Sequence, residues 1–269
     1  MVGRSNGPTV LNVAEKPSVA RALAGVFARI PGARDTPMRR DAHQIFTAEN
    51  VSFPLIFSQG EGRPQRGGSA PHKMITTSVR GHLASTDFAP GYEWGKCDPI
   101  ALFDATIETS YSEDMKPLQT MLTKLARSVQ AVILWLDCDR EGEAIGDEVQ
   151  TVCLNANPRL ETKIYRARFS TVLDGEIKRA LNTLGRLNMW MVQAVQARSE
   201  IDLRIGSAFS RFQTNRLRSK FQLISDGGSS KVVSYGPCQF PTLGFVVERW
   251  ARIETYVLYI LFLKSFFSK

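Results

Sequence analysis

The stretch Ala131-Val-Ile-Leu-Trp-Leu-Asp-Cys-Asp-Arg-Glu-Gly-Glu143 decides the fold. Six apolar residues, Val132 and Ile133 among them, read as a buried strand over 131–136, and an acidic pattern begins where that strand ends. Asp137, Asp139 and Glu141 therefore sit at a sheet edge. Three carboxylates this close repel one another unless a cation neutralises them, and an all-oxygen donor set suits a hard ion such as magnesium. The same spacing also fits an acidic loop capping the following helix, because Asp and Glu favour a helix's first turn. The pattern alone leaves both readings open.

Working outward, Thr9-Val-Leu-Asn-Val-Ala14 reads as a second buried strand, followed at once by Glu15-Lys16-Pro17-Ser18. Pro17 suits the first position of a helix running over 17–28. If the two strands are parallel neighbours, their carboxyl ends open into one crevice, the usual ligand position in open α/β folds. Glu15 then joins the acidic cluster with Lys16 beside it.

The same periodicities predict strands near 44–57 and 73–79, helices at 114–127 and 143–154, a strand at 163–168, and helices at 171–184 and 188–218. Residues 10–157 thus read as an α/β module and 158–256 as a mainly helical unit, flanked by a disordered N-terminus at 1–9 and an apolar tail at 257–269. The polar, Gly-rich stretch from Gln59 to His72 reads as a mobile loop without function. The cysteines Cys97, Cys138, Cys153 and Cys238 lack C-x-x-C spacing, so neither a zinc knuckle nor a disulfide framework is indicated, and a reducing compartment fits best. No signal-peptide core precedes Pro8, and no run reaches the ~18 apolar residues of a membrane span, which suggests a soluble intracellular protein.

Charge is segregated. From Arg159 to Lys220 there are 13 Lys and Arg against 5 Asp and Glu, while elsewhere 21 basic residues are matched by 21 acidic ones, so this segment carries the whole net charge of +8. That is the footprint of a polyanion partner, although a solvated basic helix face looks similar. Along 188–218, Ile201, Ile205, Phe209 and Phe212 recur as a core face, and Arg204, Arg211, Asn215 and Arg218 as a binding face. Trp94 is able to stack on an unpaired base or to pack, and His82 after Gly81 reads by default as a hydrogen-bonded structural histidine. In Ser234-Tyr-Gly-Pro-Cys-Gln239 the small residues and the Gln239 amide offer donors to a phosphodiester without bulk, as a plain loop also would.

Glu15 with the later Asp137-x-Asp139 resembles the Toprim module. Lys73-Met-Ile-Thr-Thr-Ser-Val-Arg-Gly-His82, Tyr165-Arg-Ala-Arg-Phe-Ser170, Glu200-Ile-Asp-Leu-Arg-Ile-Gly206, Phe209-Ser-Arg-Phe-Gln213 and Ser234 to Arg249 resemble type IA DNA topoisomerases. The likeness runs from about Val10 to about Ile253 and is closest to the eukaryotic topoisomerase III branch, its alpha form more than its beta. It implies a Rossmann-like Toprim domain and a truncated part of a toroidal core. It also implies single-strand cleavage, strand passage and religation through a 5′-phosphotyrosine, with magnesium and without ATP. Asp137 and Asp139 are then the metal ligands, with Glu15 as a ligand or proton donor, Lys16 stabilising phosphate charge, and Glu141 as a second ligand or support. Arg198, Asp202, Arg211, Ser234, Gly236 and Gln239 are expected to lie along single-stranded DNA. Implied further are a nuclear location, roles in DNA recombination and repair, and a RecQ-type helicase with its OB-fold cofactor as partners.

One departure qualifies the expected activity. The family's nucleophile lies in a motif like Gly-Tyr-Ile-Ser-Tyr-Pro-Arg-Thr, and none of Tyr92, Tyr111, Tyr165, Tyr235, Tyr256 and Tyr259 is followed by Pro-Arg-Thr. The chain is therefore expected to be truncated and inactive alone, with Val257 to Lys269 an aberrant end. A non-catalytic fragment that binds single-stranded DNA or a helicase is the alternative.

Overall fold

The computed structural model describes residues 8–39, 45–53, 70–218, 220 and 232–256. The N-terminal stretch before Pro8, most of the polar loop and the apolar tail expected above lie outside these residues.

The quoted run forms strand β7 (Ala131–Trp135), and it packs on both faces. Ala131, Ile133 and Trp135 enter one core, while Val132 and Leu134 enter another, which is why the run is apolar at every position rather than at alternate ones. Strand β1 (Thr9–Ala14) divides in the same way, Val10 and Ala14 to the first core, Leu11 and Val13 to the second. It pairs with β7 in parallel, in the register Val10↔Ala131 to Ala14↔Trp135. Its one buried polar residue, Asn12, accepts a 2.9 Å hydrogen bond from Trp135 Nε1.

The six-stranded sheet has the order β2-β3-β4-β1-β7-β8. Strands β2 (Arg34–Arg39), β3 (Ile45–Phe53) and β4 (Ala70–Ser78) are antiparallel neighbours, whereas β4, β1, β7 and β8 (Ile164–Arg166) run parallel. Helices α1 (Pro17–Ala28) and α4 (Asp174–Asn182) cover the first core with Leu23, Phe27 and Ile177. Helices α2 (Lys116–Ala126) and α3 (Arg140–Ala156) cover the second with Leu122, Val149 and Val152. Each such fully buried side chain contributes about 2 kcal/mol relative to exposure.

Residues 1–87 and 108–198 make one compact unit, and 88–107 with 199–269 a second. The division differs from a break at 157: the 3-10 turn at Pro99–Phe103 belongs to the second unit, and β8 and α4 complete the first. A polar two-stranded ribbon, β5 (Ala84–Phe88) with β6 (Ile107–Tyr111), begins and ends the excursion. The long helix α5 (Met189–Arg218) continues from one unit into the other, and α6 (Gln239–Glu254) follows. Among the described residues no helix is long and apolar enough to cross a membrane.

The expected core face of α5 is corrected. Ile201, Phe209 and Phe212 are 52%, 46% and 58% exposed, while Ala208, Ser210 and Thr214 are buried. Ala208 packs there with Leu102 and Ala105 in a small cluster, which a small side chain fits. Arg204, expected on a binding face, turns inward and donates through Nη1 to the carbonyls of Leu102, Phe103 and Ala105, each at 2.9 Å. Three carbonyls at the end of a short turn need donors, and the guanidinium supplies them.

Candidate active site

Because β1 and β7 are parallel and in register, their carboxyl ends deliver Glu15 and Asp137 side by side. Glu15 N–H donates to the Trp135 carbonyl at 3.1 Å, and Glu15 Oε2 accepts from Asp137 N–H at 2.9 Å, so the two strand ends are laced together. Lys16 Nζ lies 2.7 Å from Asp137 Oδ2 and 3.8 Å from Glu15 Oε1. Its pKa is raised, first by the hydrogen bond to Asp137 and then by the charges of Asp137, Glu15 and Asp139. Three carboxylates thus act on one ammonium.

Asp139 is the N-cap of α3, its Oδ1 accepting from Gly142 N–H at 2.7 Å. The capping alternative therefore holds for this residue through one of its two carboxylate oxygens. Glu141 has both oxygens engaged, Oε1 with Arg198 Nη1 at 3.1 Å and Oε2 with His82 Nε2 at 3.2 Å. Among the described residues no group of three His, Cys, Asp or Glu side chains is arranged to hold a metal ion. The donors are nonetheless of the right kind, hard carboxylate oxygens, and Lys16 marks a place where Glu15 and Asp137 already hold a cation. The residues fit magnesium in chemistry and would close on it by giving up the ammonium.

Sequence reasoning missed what lies beneath this cluster. Arg166, fully buried at the end of β8, donates to Glu143 Oε1 at 3.0 Å, to the Asp137 carbonyl at 2.7 Å and to the Ala167 carbonyl. Glu143 is buried too, and its Oε2 accepts from Asn188 N–H at 2.7 Å. The signal available was an Arg inside an otherwise apolar strand, which needs a buried acid as partner.

His82 bridges two acids. Gly81, at φ +90°, turns the chain so that His82 Nδ1 meets Glu148 Oε1 at 2.7 Å while Nε2 faces Glu141. The Glu148 hydrogen bond, with help from Glu141, raises its pKa to about 9 despite partial burial. A raised histidine contributes its full stability below the ordinary value near 6.5 and loses it as pH climbs through about 9. The side chain is 43% exposed, so solvent screening limits the contribution to ~1 kcal/mol. Urea unfolding should show wild type losing that much between pH 6.5 and 9.5 relative to His82→Gln; parallel profiles would remove the bridge from the stability of the fold.

The remaining expected DNA-facing residues fall as follows. Arg198, in the first unit, joins the carboxylates through Glu141. In the second unit Arg211 donates to the Tyr92 carbonyl at 2.6 Å and lies 5.7 Å over the Trp94 ring, which is 40% exposed. Asp202 is half-buried on α5. Ser234 Oγ donates to Gln239 Oε1 at 3.3 Å, and Gly236 approaches the Gln239 side chain so closely that a Cβ there would stand 3.2 Å away, so these three form one turn leading into α6. Tyr235 stacks between Phe209 and Phe240 at 5.0 and 4.8 Å. All four cysteines are free, and burial pushes the Cys153 thiol up to about 12.

Carboxylates and a lysine at the carboxyl edge of a parallel sheet define the class: the Toprim domain model matches residues 10–172, more than half the chain, and the chain belongs to that family. A DNA topoisomerase model matches 186–260. Curated relatives include DNA topoisomerase 3-alpha of Arabidopsis thaliana, 44% identical over 95% of this chain, and of Homo sapiens, 43% identical over 68% of it. DNA topoisomerase 3 of Dictyostelium discoideum is 39% identical over 92%. The chain spans 26%, 18% and 30% of those relatives' lengths. The full-length topoisomerase I structure from Thermotoga maritima matches its fold with a TM-score of 0.54 at 20% identity, over 92% of this chain and 31% of that one.

Proposed function

We propose that this chain carries the electrostatic half of a topoisomerase III-like reaction: cleavage of one DNA strand, passage of another, and religation through a 5′-phosphotyrosine without ATP. The observation that carries the reading is the meeting of Glu15 and Asp137 at Lys16, 3.8 and 2.7 Å away, at the ends of two adjacent parallel strands, with Asp139 two residues further on. Lys16 is placed to stabilise charge developing on a phosphodiester oxygen. Glu15 either ligates metal or protonates the leaving 3′ oxygen; carboxylates sharing one cation titrate together, so the proton belongs to the group. Asp137 and Asp139 would hold magnesium here, and Glu141 fixes His82 and Arg198 around them. Magnesium bound there supplies Lewis-acid charge at the scissile phosphate.

Trp94, Arg198, Asp202, Arg211, Ser234, Gly236 and Gln239 follow the single strand in this reading, the aromatic by stacking and the polar groups at phosphates. A nuclear location and a RecQ-type helicase with its OB-fold cofactor rest on the family resemblance rather than on any interaction described above. Calorimetric magnesium titration tests the centre: Asp137→Asn with Asp139→Asn should abolish binding, and unchanged binding would reject the ligand assignment.

The basic segment 159–220, which carries 13 Lys and Arg against 5 Asp and Glu, favours a second reading, a fragment that binds single-stranded DNA without cutting it. Purified chain of this length should leave supercoiled plasmid unrelaxed with or without magnesium, and relaxation would show that a tyrosine in this sequence serves as nucleophile. Salt-sensitive oligonucleotide binding without a covalent adduct is the mark of the second reading.

A further inference from the structure

At the opposite edge of the sheet from the carboxylates, the chain builds a second charged feature. A recess of about 400 Å³ lies between the C-terminal ends of α2 and α3 and is lined by Arg127, Gln130, Asn157, Arg159, Leu160 and Lys163, among others. It belongs wholly to the first unit. Strands β1, β7 and β8 all start beside it, at Thr9, Ala131 and Ile164, and Thr9 N–H donates to Gln130 Oε1 at 2.6 Å. Five residues of β7 at ~3.3 Å each separate it from the acidic edge by roughly 17 Å.

Three cations line this recess and no acidic side chain does. Among the described residues none of Arg127, Arg159 and Lys163 has a carboxylate partner, unlike Lys16, Arg29, Arg166 and Arg198. The two helix ends put about half a negative charge each at the recess. Asn157 Nδ2 covers part of that by donating to the Ala126 carbonyl at 3.0 Å and the Val129 carbonyl at 3.5 Å. Three full positive charges against roughly one negative leave a net charge of about +2, more than C-terminal dipoles need for balance. With Gln130 Oε1 committed to Thr9, the Gln130 amide N–H groups are left as neutral donors. Forked guanidinium donors, an ammonium and an amide around one concavity match a tetrahedral oxyanion.

We infer that this recess is a phosphate-binding site, remote from the carboxylate centre and not dependent on any reading of it. The phosphate comes either from a nucleic-acid backbone or from a free phosphate compound, and one experiment distinguishes the sources. The full chain is titrated with sodium pyrophosphate and, separately, with a short thymidine oligonucleotide over a salt series. The variant R127Q/R159Q/K163Q is compared with R34Q/K116Q/K178Q, which removes equal charge from exposed positions elsewhere on the same unit. Site binding should weaken at least ~10-fold in the first variant and less than ~2-fold in the second. Selective weakening for the oligonucleotide, with a salt slope flatter by ~0.7 for each phosphate no longer neutralised, identifies backbone phosphate. Selective weakening for pyrophosphate alone identifies a free phosphate ligand. If neither ligand separates the two variants, the site does not exist.

Discussion

Arg166→Ala should lower the unfolding free energy by ~3–5 kcal/mol, read from urea denaturation at constant slope. The guanidinium is fully buried and joins three elements: Glu143 on α3, the carbonyl of Ala167 after β8, and the carbonyl of Asp137 after β7. Truncation leaves the buried Glu143 carboxylate with only the Asn188 N–H and the more distant Arg168, at 3.7 Å, and that under-compensated charge, rather than the missing hydrogen bonds, sets the magnitude. Removing both charges with shape-matched apolar residues, as in Glu143→Met with Arg166→Met, should recover much of the stability, because the desolvation cost then disappears from both sides. A double variant as unstable as the single one would mean that Arg166 acts chiefly by holding the Asp137 carbonyl.

Gly142→Ala should be nearly as damaging, at ~2–3 kcal/mol, and, with the proposed centre at Asp137 and Asp139, should weaken magnesium binding at the same time. A Cβ at Gly142 would stand 2.2 Å from the Asp137 carbonyl oxygen, with the Asp137 carbonyl carbon and nitrogen at 3.1 and 3.2 Å. These are backbone atoms and cannot swing aside, so either the first turn of α3 or the loop after β7 must move. Moving α3 breaks the Asp139 cap, and moving the loop breaks both the Glu15 and the Arg166 bonds to Asp137. Thermal unfolding with calorimetry on one sample checks both effects. Wild-type stability together with wild-type magnesium affinity would show that the close approach relaxes freely. Gly146 gives a milder contrast: a Cβ there would meet Leu187 Cδ2 at 2.6 Å, the far end of a side chain able to rotate.

The parts of this molecule legible in its sequence are those where one physical requirement dominates. A strand covered on both faces must be apolar throughout, so β1 and β7 announce themselves, and Glu15 and Asp137, one and two residues past their ends, fall at the crevice. Pro17 fixes the start of α1, and the 3.6-residue repeat of Leu118, Leu122 and Ala126 fixes α2. Where two requirements compete, the sequence misleads. Strands β5 and β6 are short and mostly exposed, so their alternation is too weak to read, and β2 carries Pro37 at a position on an edge strand. Helix α6 includes Pro241 and Gly244, which look like punctuation, yet it runs for 16 residues because Pro241 lies in its first turn. On α5 hydrophobicity points to Ile201, Phe209 and Phe212, but the inward face goes to small residues and to an arginine with three carbonyls to cap. In the site, Glu15, Asp137 and Asp139 could be read because strand ends converge, whereas the Arg166–Glu143 pair joins residues 23 apart in sequence through an interaction only the folded chain makes.

The sheet order has a consequence for how the chain comes into being. Strand β1 is synthesised first and ends in the middle of the sheet, with β4 beginning at Ala70 on one side and β7 at Ala131 on the other. Its edge toward β7 stays unpaired while more than a hundred residues are added, a wait on the order of ten seconds at ~5–20 residues per second. During that interval β1 is an apolar strand with an open edge, the kind of segment prone to pair with other chains, and its native pairing on that side waits for β7.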